Sequence, residues 1–222
     1  MFFLNFFRFL RREHMRLIAY IHGKNGKSSE SRHYEPLFPG CSVIGLDYRS
    51  ATPYEALEDI RNSLKTLKEK HDSITIVANS IGAFFSMNAG IEDLIEKAFF
   101  ISPVVDMEKL ILGIMAADGV TETELKSRKT IPTSFGEDLS WYYLCYVREH
   151  PINWKVKTEI LYGMRDNLTS YDTISAFAKK HGAHLTVMED GGHWFHTDEE
   201  MRFLDDWISK SENFSTNPEG AA

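Results

Sequence analysis

The sequence predicts an α/β fold in three layers, with helices on both faces of a mostly parallel sheet. Short apolar runs rich in β-branched and aromatic residues alternate with helical patterns, and the runs are almost continuously hydrophobic, which is typical of strands buried on both faces. A chain of 222 residues with 43% hydrophobic content can bury one sizeable core, so we expect a single domain. Six runs are predicted to be strands: residues 16–22, 42–47, 73–78, 97–102, 159–162 and 185–188.

Three helices have clear boundary signals. Residues 52–55 (TPYE) combine a capping threonine, a proline at the first helical position and a glutamate three residues after the cap. The same capping-box pattern at residues 197–200 (TDEE) precedes an apolar stripe and predicts the closing helix of the domain. Residues 172–181 form a third amphipathic pattern that stops at Gly182.

Residues 107–157 interrupt the alternation of strands and helices. This stretch has no strand pattern and carries several glycines and prolines, and a loop of this length inside a compact domain needs structure of its own. We therefore predict a helical lid inserted into the domain. Its aromatic cluster consists of Trp141, Tyr142, Tyr143 and Tyr146.

The two ends of the chain are set apart from the predicted domain, which spans residues 15–210. Residues 1–14 place phenylalanines before arginines, the reverse of a secretory signal, and are too few to span a membrane. Translation starting at Met15 and a weak amphipathic surface anchor are both open interpretations of this segment. Residues 211–222 are polar and contain glycine and proline, so we expect a disordered tail.

Charge and cysteine content indicate which kinds of ligand and cofactor to expect. The net charge of −7 comes from acidic and basic residues scattered along the chain, which argues against nucleic acid and against an anionic membrane surface. We expect a small-molecule ligand, and we leave the oligomeric state open. Cys41 and Cys145 are far apart in sequence, which favours a cytoplasmic protein without a disulfide framework, a metal site or a cofactor.

The most informative local pattern surrounds Ser80. The apolar run at residues 73–78 leads directly into Asn79-Ser80-Ile81-Gly82 and then into a helix-compatible segment. A serine at such a strand-to-helix turn projects its hydroxyl above the sheet, and small residues two positions before and after it let strand and helix approach. A serine that merely caps a buried helix is the competing interpretation of this motif taken alone.

Two further polar residues follow predicted strands. Asp166 comes shortly after the run at residues 159–162, and His193 comes after the run at residues 185–188. Together with the turn at Ser80, this order resembles the α/β-hydrolase family, whose G-x-S-x-G motif is followed by an acid and then a histidine. Ala78 replaces the first glycine of that motif. The resemblance covers residues 15–210, and it implies a reduced sheet because residues 1–14 leave little room for the family's first two strands.

The resemblance implies a serine hydrolase with Ser80 as nucleophile, His193 as general base and Asp166 as the carboxylate that orients the histidine. The base and the acid each have an alternative candidate on the loop of residues 189–196. Asp190 is the alternative acid, and His196 is the alternative base.

The glycine-rich segment at residues 23–26 (GKNG) resembles the loop that forms the oxyanion hole in the same family. The resemblance implies that the backbone N–H of Lys24, or of Asn25, acts together with that of Ile81. His22 is expected to hold this loop in place.

The substrate is expected to be a small acyl compound, with a carboxylester as the first choice. Trp141, Tyr143 and Trp194 are candidates to line an apolar acyl pocket, although aromatic clusters more often pack in a core. Thioester, amide or peptide and carbon–carbon bond cleavage stay open, as does a non-catalytic binding role for the fold.

A nucleotide hydrolase is the rival enzyme class. Residues 23–28 (GKNGKS) follow a strand, as a phosphate-binding loop would. The pattern G-x-x-x-x-G-K-[ST] requires glycine at position 21, where the chain has Ile21, so the loop is two residues too short to cradle phosphates. We regard this class as disfavoured.

Overall fold

A six-stranded parallel sheet forms the centre of the molecule. The computed structural model describes residues 15–49, 52–134, 136 and 138–216. The sheet strands are β1 (Arg16–Ile21), β2 (Ser42–Gly45), β3 (Ser73–Asn79), β4 (Lys97–Ile101), β7 (Lys157–Gly163) and β8 (His184–Met188). Their spatial order is β2-β1-β3-β4-β7-β8, so β2 lies on one side of β1 and the later strands follow one another on the other side. All six predicted strands are present.

Helices cover both faces of this sheet. The larger buried cluster packs one face of the sheet against α1 (Pro53–Lys68), α2 (Ile81–Asn88), α3 (Met107–Ala117) and α6 (Tyr171–His181). The smaller cluster packs the other face against a 3-10 helix (Ser28–Leu37) and α7 (Asp198–Thr216). The predicted three-layer architecture is therefore confirmed.

The helix boundaries follow the sequence signals. The hydroxyl of Thr52 accepts the N–H of Glu55 at the start of α1, where Pro53 is the first helical residue. Helix α6 ends at Gly182, whose φ of 66° lies in the left-handed region that glycine adopts at little cost. In these places local chemistry alone determines where a helix begins and ends.

The insert between β4 and β7 differs from the prediction in one respect. Besides α3 it contains α4 (Glu122–Arg128) and α5 (Trp141–Glu149), and between these two helices lies an antiparallel hairpin of β5 (Thr130–Pro132) and β6 (Asp138–Ser140). The insert is mainly helical, as predicted, but the expectation that it contains no strand was wrong. Strands of three residues are too short to show an alternating hydrophobic pattern.

The C-terminal end also differs from the prediction. Helix α7 continues to Thr216, whereas a disordered tail was expected from residue 211. The carbonyl of the buried Ser211 accepts a hydrogen bond from Lys97 Nζ, and Glu212 pairs with Arg16 at 3.0 Å, so long-range contacts hold this part of the helix. The predictions for residues 1–14 and for residues 217–222 lie outside the described residues. No helix within the described ranges is long and apolar enough to cross a membrane.

Candidate active site

Ser80 occupies a strained turn between β3 and α2. Its φ of 50° and ψ of −118° are unusual for a residue with a side chain, and it is only 5% exposed. The strain is held by neighbours, because the Ser80 N–H donates to the carbonyl of Ile101 at 2.9 Å and its carbonyl accepts the N–H of Val104 at 3.2 Å. The segment after β4 therefore fixes the direction in which the Ser80 side chain projects.

His193 lies between Ser80 and Asp166 and contacts both. Its Nε2 is 2.8 Å from Ser80 Oγ, and its Nδ1 is 2.8 Å from Asp166 Oδ2. The side chains of His193 and Asp166 are 1% and 0% exposed. Since carboxylate oxygens accept hydrogen bonds, His193 Nδ1–H donates to Asp166, and Nε2 is left to accept a hydrogen bond from the Ser80 hydroxyl.

Asp166 is held by the turn that follows it. Its Oδ1 accepts the N–H groups of Leu168 at 2.7 Å and Thr169 at 3.0 Å, which leaves Oδ2 for the histidine. The hydroxyl of Tyr162, at the end of β7, donates to the carbonyl of Thr169 at 2.8 Å and anchors the same turn. Burial, and the nearby charge of Asp166, raise the pKa of Tyr162, so the hydroxyl keeps its proton.

The two rivals named from the sequence lie elsewhere. Asp190 is an exposed residue, with 72% of its side chain accessible, and it pairs with Arg165. The ring of His196 is also exposed, and its Nδ1 contacts the carbonyl oxygen of Trp194 at 2.6 Å. Of the candidate acids and bases, only Asp166 and His193 form a hydrogen-bonded chain to Ser80.

The predicted oxyanion loop lies directly beside the serine. A Cβ placed on Gly23 would be 3.3 Å from the Cβ of Ser80, so a side chain there would require Ser80 to move by a few tenths of an ångström. Asn25 takes a φ of 59° in this loop. His22 holds it as expected, because its Nδ1 bonds the carbonyl of Gly23 at 2.8 Å and its ring stacks on Tyr48. The roles of the Lys24 and Ile81 amides stay predictions.

The same loop argues against phosphate binding. Residues 23–26 lead into a 3-10 helix, where a phosphate-binding loop would lead into an α-helix. The carboxylate of Glu30 accepts the N–H of Lys27 at 3.0 Å and the hydroxyl of Tyr20 at 2.6 Å. A negative charge therefore lies where a nucleotide phosphate would need hydrogen-bond donors.

A carboxylate of the insert acts on the predicted oxyanion loop. Burial lowers the pKa of Lys24, and the carboxylate of Asp138, at the start of β6, acts in the opposite direction. The hydroxyl of Tyr54, at the start of α1, donates to the carbonyl of Tyr142 at 3.3 Å. The insert is thus anchored at the edge of the sheet where Ser80 lies.

The three candidate pocket residues have different surroundings. Trp141 and Tyr143 are partly buried and pack against the larger core cluster. Trp194 is 54% exposed, and its ring meets that of His193 edge to face with centroids 5.3 Å apart. A cavity of about 600 Å³ between α3, α5 and α6 is lined by none of the three.

Two features of the site were not predicted. Tyr162 belongs to an apolar strand, and nothing local distinguishes its hydroxyl from that of any core tyrosine. Ser102, after β4, has a φ of 43° and a buried hydroxyl without a partner among the described residues. Within the described part of the chain, no group of three or more His, Cys, Asp or Glu side chains is arranged to hold a metal ion.

Comparison with known proteins supports the fold. No protein-family model matches the chain, and no curated protein does. Among solved structures, Est1E from Butyrivibrio proteoclasticus has 18% identity and a TM-score of 0.73, over 92% of this chain and 89% of that one. Alpha/beta hydrolase domain-containing protein 10 from mouse has 15% identity and a TM-score of 0.69, over 89% of each chain.

A third similar structure is the thermophilic esterase Est2 from Thermogutta terrifontis, with 17% identity and a TM-score of 0.62 over 94% of this chain and 88% of that one. These similarities, together with the strand order, show that the chain has the α/β-hydrolase fold with a six-stranded sheet.

Proposed function

We propose that the protein is a serine hydrolase that cleaves a carboxylester of a small molecule through an acyl-enzyme. The observation that carries this proposal is the continuous chain of hydrogen bonds from Asp166 through His193 to Ser80, buried at the carboxyl edge of the sheet. A structural histidine does not need a serine on one ring nitrogen and a carboxylate on the other. A base that must take and return a proton within one cycle needs both.

In the first half of the reaction, Ser80 Oγ attacks the carbonyl carbon while its proton passes to His193 Nε2. Asp166 stabilises the imidazolium that forms. The N–H groups of Lys24 and Ile81 bind the oxyanion of the tetrahedral intermediate. The intermediate collapses when the imidazolium returns the proton to the leaving alcohol, and Ser80 is left esterified. Water then repeats the sequence and releases the acid.

The choice of an ester is supported by the ligands of two structural neighbours. Est1E has been solved with ferulic acid bound, and Est2 of Thermogutta terrifontis with butyrate bound. Both ligands are carboxylic acids, the class of product that ester hydrolysis releases. The same triad acts on thioesters and amides when the pocket admits them, so the substrate test includes both.

The test combines an active-site label with a substrate series. A fluorophosphonate should label the wild-type protein at Ser80 and leave Ser80→Ala unlabelled. His193→Gln and His196→Gln form a matched pair, of which only the first should abolish labelling. p-Nitrophenyl esters of graded chain length, thioesters and short peptides then identify the bond. An unlabelled wild type, or full hydrolysis by Ser80→Ala, would contradict the proposal.

A further inference from the structure

Glu200 is a buried carboxylate in the first turn of α7, with only 7% of its surface exposed. The sequence predicts it as half of a capping box, and the structure contains that box. Its Oε2 accepts the N–H of Thr197 at 3.1 Å and the Thr197 hydroxyl at 2.9 Å, while the Glu200 N–H donates back to that hydroxyl at 3.3 Å. A capping role accounts for this oxygen.

The other carboxylate oxygen of Glu200 accepts a hydrogen bond that a helix cap does not require. Oε1 of Glu200 accepts the N–H of Gly192 at 2.9 Å, eight residues back along the chain and directly before His193. Oε2 also accepts the N–H of His196 at 3.2 Å. One carboxylate therefore holds the loop on both sides of His193 and ties it to the start of a long helix.

The turn that carries Asp166 also contacts this loop. The carbonyl of Gly191 accepts the N–H of Arg165 at 2.9 Å, and a Cβ on Gly163 would lie 2.4 Å from that carbonyl. The backbone of the loop is thus packed against the turn that carries Asp166. Glu200 supplies a second contact to this loop, so that the backbone next to His193 is held by two different elements.

The charge state of Glu200 fits this role. Burial alone raises the pKa of the carboxyl, but the hydrogen bonds from Gly192, Thr197 and His196 outweigh it and lower the pKa from 4.5 to about 2. The carboxylate therefore stays ionised at neutral pH. Two other charged or titratable sites around this loop are exposed to solvent. They are the ring of His196, which is 3.8 Å from Oε2, and the Arg165–Asp190 pair.

We propose that Glu200 is a positioning residue, which holds the His193 loop through Gly192 so that the imidazole lies between Asp166 and Ser80. This inference rests on the proposed function. It adds that the start of α7, and not only the acid loop, sets the position of the base. A displacement of about 1 Å at a catalytic group can lower the rate about a hundredfold.

The substitution Glu200→Gln separates this role from capping. The amide oxygen of glutamine is expected to take the place of Oε2, where three donors converge, and the NH₂ group must then face the N–H of Gly192. The cap is kept and the link to the histidine loop is broken. Thr197→Ala is the matched control, because it removes the capping hydroxyl and leaves the contact to Gly192.

We expect Glu200→Gln to lower kcat and the rate of fluorophosphonate labelling between about tenfold and a hundredfold, with KM within about threefold of wild type. Thr197→Ala should lower the melting temperature and leave both rates unchanged. If the two variants lose stability alike and both keep full rates, Glu200 is only a cap and the inference is wrong. If Glu200→Gln does not fold, Glu200→Asp replaces it in the test. Glu200→Asp keeps the charge but is one methylene shorter, so it should also lower both rates.

A readout independent of turnover separates this inference from the proposed function. The low-field NMR signal of the His193 Nδ1 proton reports its hydrogen bond to Asp166, whether or not the protein hydrolyses anything. We expect this signal to shift or broaden in Glu200→Gln and to be unchanged in Thr197→Ala. If wild-type Ser80 is not labelled, the proposed function fails; if the signal is the same in all three proteins, the positioning role fails.

Discussion

Gly82 lies against the carbonyl oxygen of His22. A Cβ at position 82 would come within 2.4 Å of this oxygen and 2.7 Å of the carbonyl oxygen of Ile21, and neither backbone atom can move without shifting the end of β1. The start of α2 can approach the central strand only because residue 82 has no side chain. This contact places the Ser80 turn directly beside the Gly23 loop.

We therefore expect Gly82→Ala to lower the free energy of unfolding by about 3 kcal/mol, the upper end for overpacking a close-packed site. Labelling of Ser80 should slow as well, because the turn must shift. The matched control is Gly113→Ala, since nothing lies within 4 Å of a Cβ at this position in the interior of α3. That control should raise stability by about 0.5–1 kcal/mol. Equal stabilities in urea denaturation would contradict the packing argument.

The second prediction concerns the acid of the triad. Asp166→Asn should reduce turnover about ten-thousand-fold, as documented when this role is lost in serine proteases, because the amide favours the wrong tautomer of the histidine. Asp190→Asn breaks only an exposed pair with Arg165 and should keep at least about a tenth of the activity, a loss of no more than roughly 1.4 kcal/mol in barrier. Steady-state kinetics of both variants on the ester that the wild type hydrolyses fastest tests this prediction. If Asp190→Asn loses more turnover than Asp166→Asn, Asp190 is the acid of the triad.

The third prediction concerns the support of Asp166. Tyr162→Phe removes the hydrogen bond to the carbonyl of Thr169, so we expect a loss of about 1–2 kcal/mol in stability and a moderate fall in kcat without a change in KM. Tyr171→Phe, at an exposed tyrosine near the same turn, is the control and should change neither quantity. An unchanged kcat in Tyr162→Phe would show that the acid turn holds its shape without this bond.

The fourth prediction tests whether the insert sets substrate preference. The hydroxyl of Tyr143 is buried and has no partner among the described residues, so Tyr143→Phe should leave stability unchanged or raise it by up to about 1 kcal/mol. If Tyr143 also lines the acyl pocket, the relative rates among p-nitrophenyl esters will change, while the exposed Tyr142→Phe will leave them unchanged. Identical preferences in both variants would assign Tyr143 to packing alone.

The fifth prediction is a loss of stability in acid. Because the pKa of Glu200 is lowered from 4.5 to about 2 on folding, its stabilising contribution is complete above pH 4.5 and is lost as the pH falls towards 2. The shift corresponds to about 3 kcal/mol. Denaturation curves between pH 6 and pH 2 should show a smaller acid-induced loss for Glu200→Gln than for wild type. Parallel pH dependences would contradict the lowered pKa.

Much of this architecture could be predicted because its signals are local. The cap at Thr52, the stop at Gly182 and the strand-to-helix turn at Ser80 depend on the conformational preferences of a few adjacent residues. Hydrophobic runs separated by helical patterns likewise predict a parallel sheet, because both faces of each strand must be buried. The chain order of Ser80, Asp166 and His193 could be recognised only through its resemblance to the α/β-hydrolase family.

Other features depend on contacts between residues far apart in sequence. Whether Asp166 or Asp190 faces His193 is decided by the register of β7 and β8, which buries one carboxylate and leaves the other in solvent. The continuation of α7 past residue 210 is supported by contacts of Ser211 and Glu212 with Lys97 and Arg16, at the amino ends of β4 and β1.

The sequence by itself determined the fold class and most helix boundaries, because propensity and hydrophobic period act over a few residues, and its resemblance to the α/β-hydrolase family indicated three residues to consider for catalysis. Only the tertiary structure decided which acid pairs with the histidine, that the insert contains a hairpin, and that Glu200 reaches Gly192. The physical reason is that a hydrogen bond across loops depends on distances of a few tenths of an ångström, which are set only when the whole core is packed.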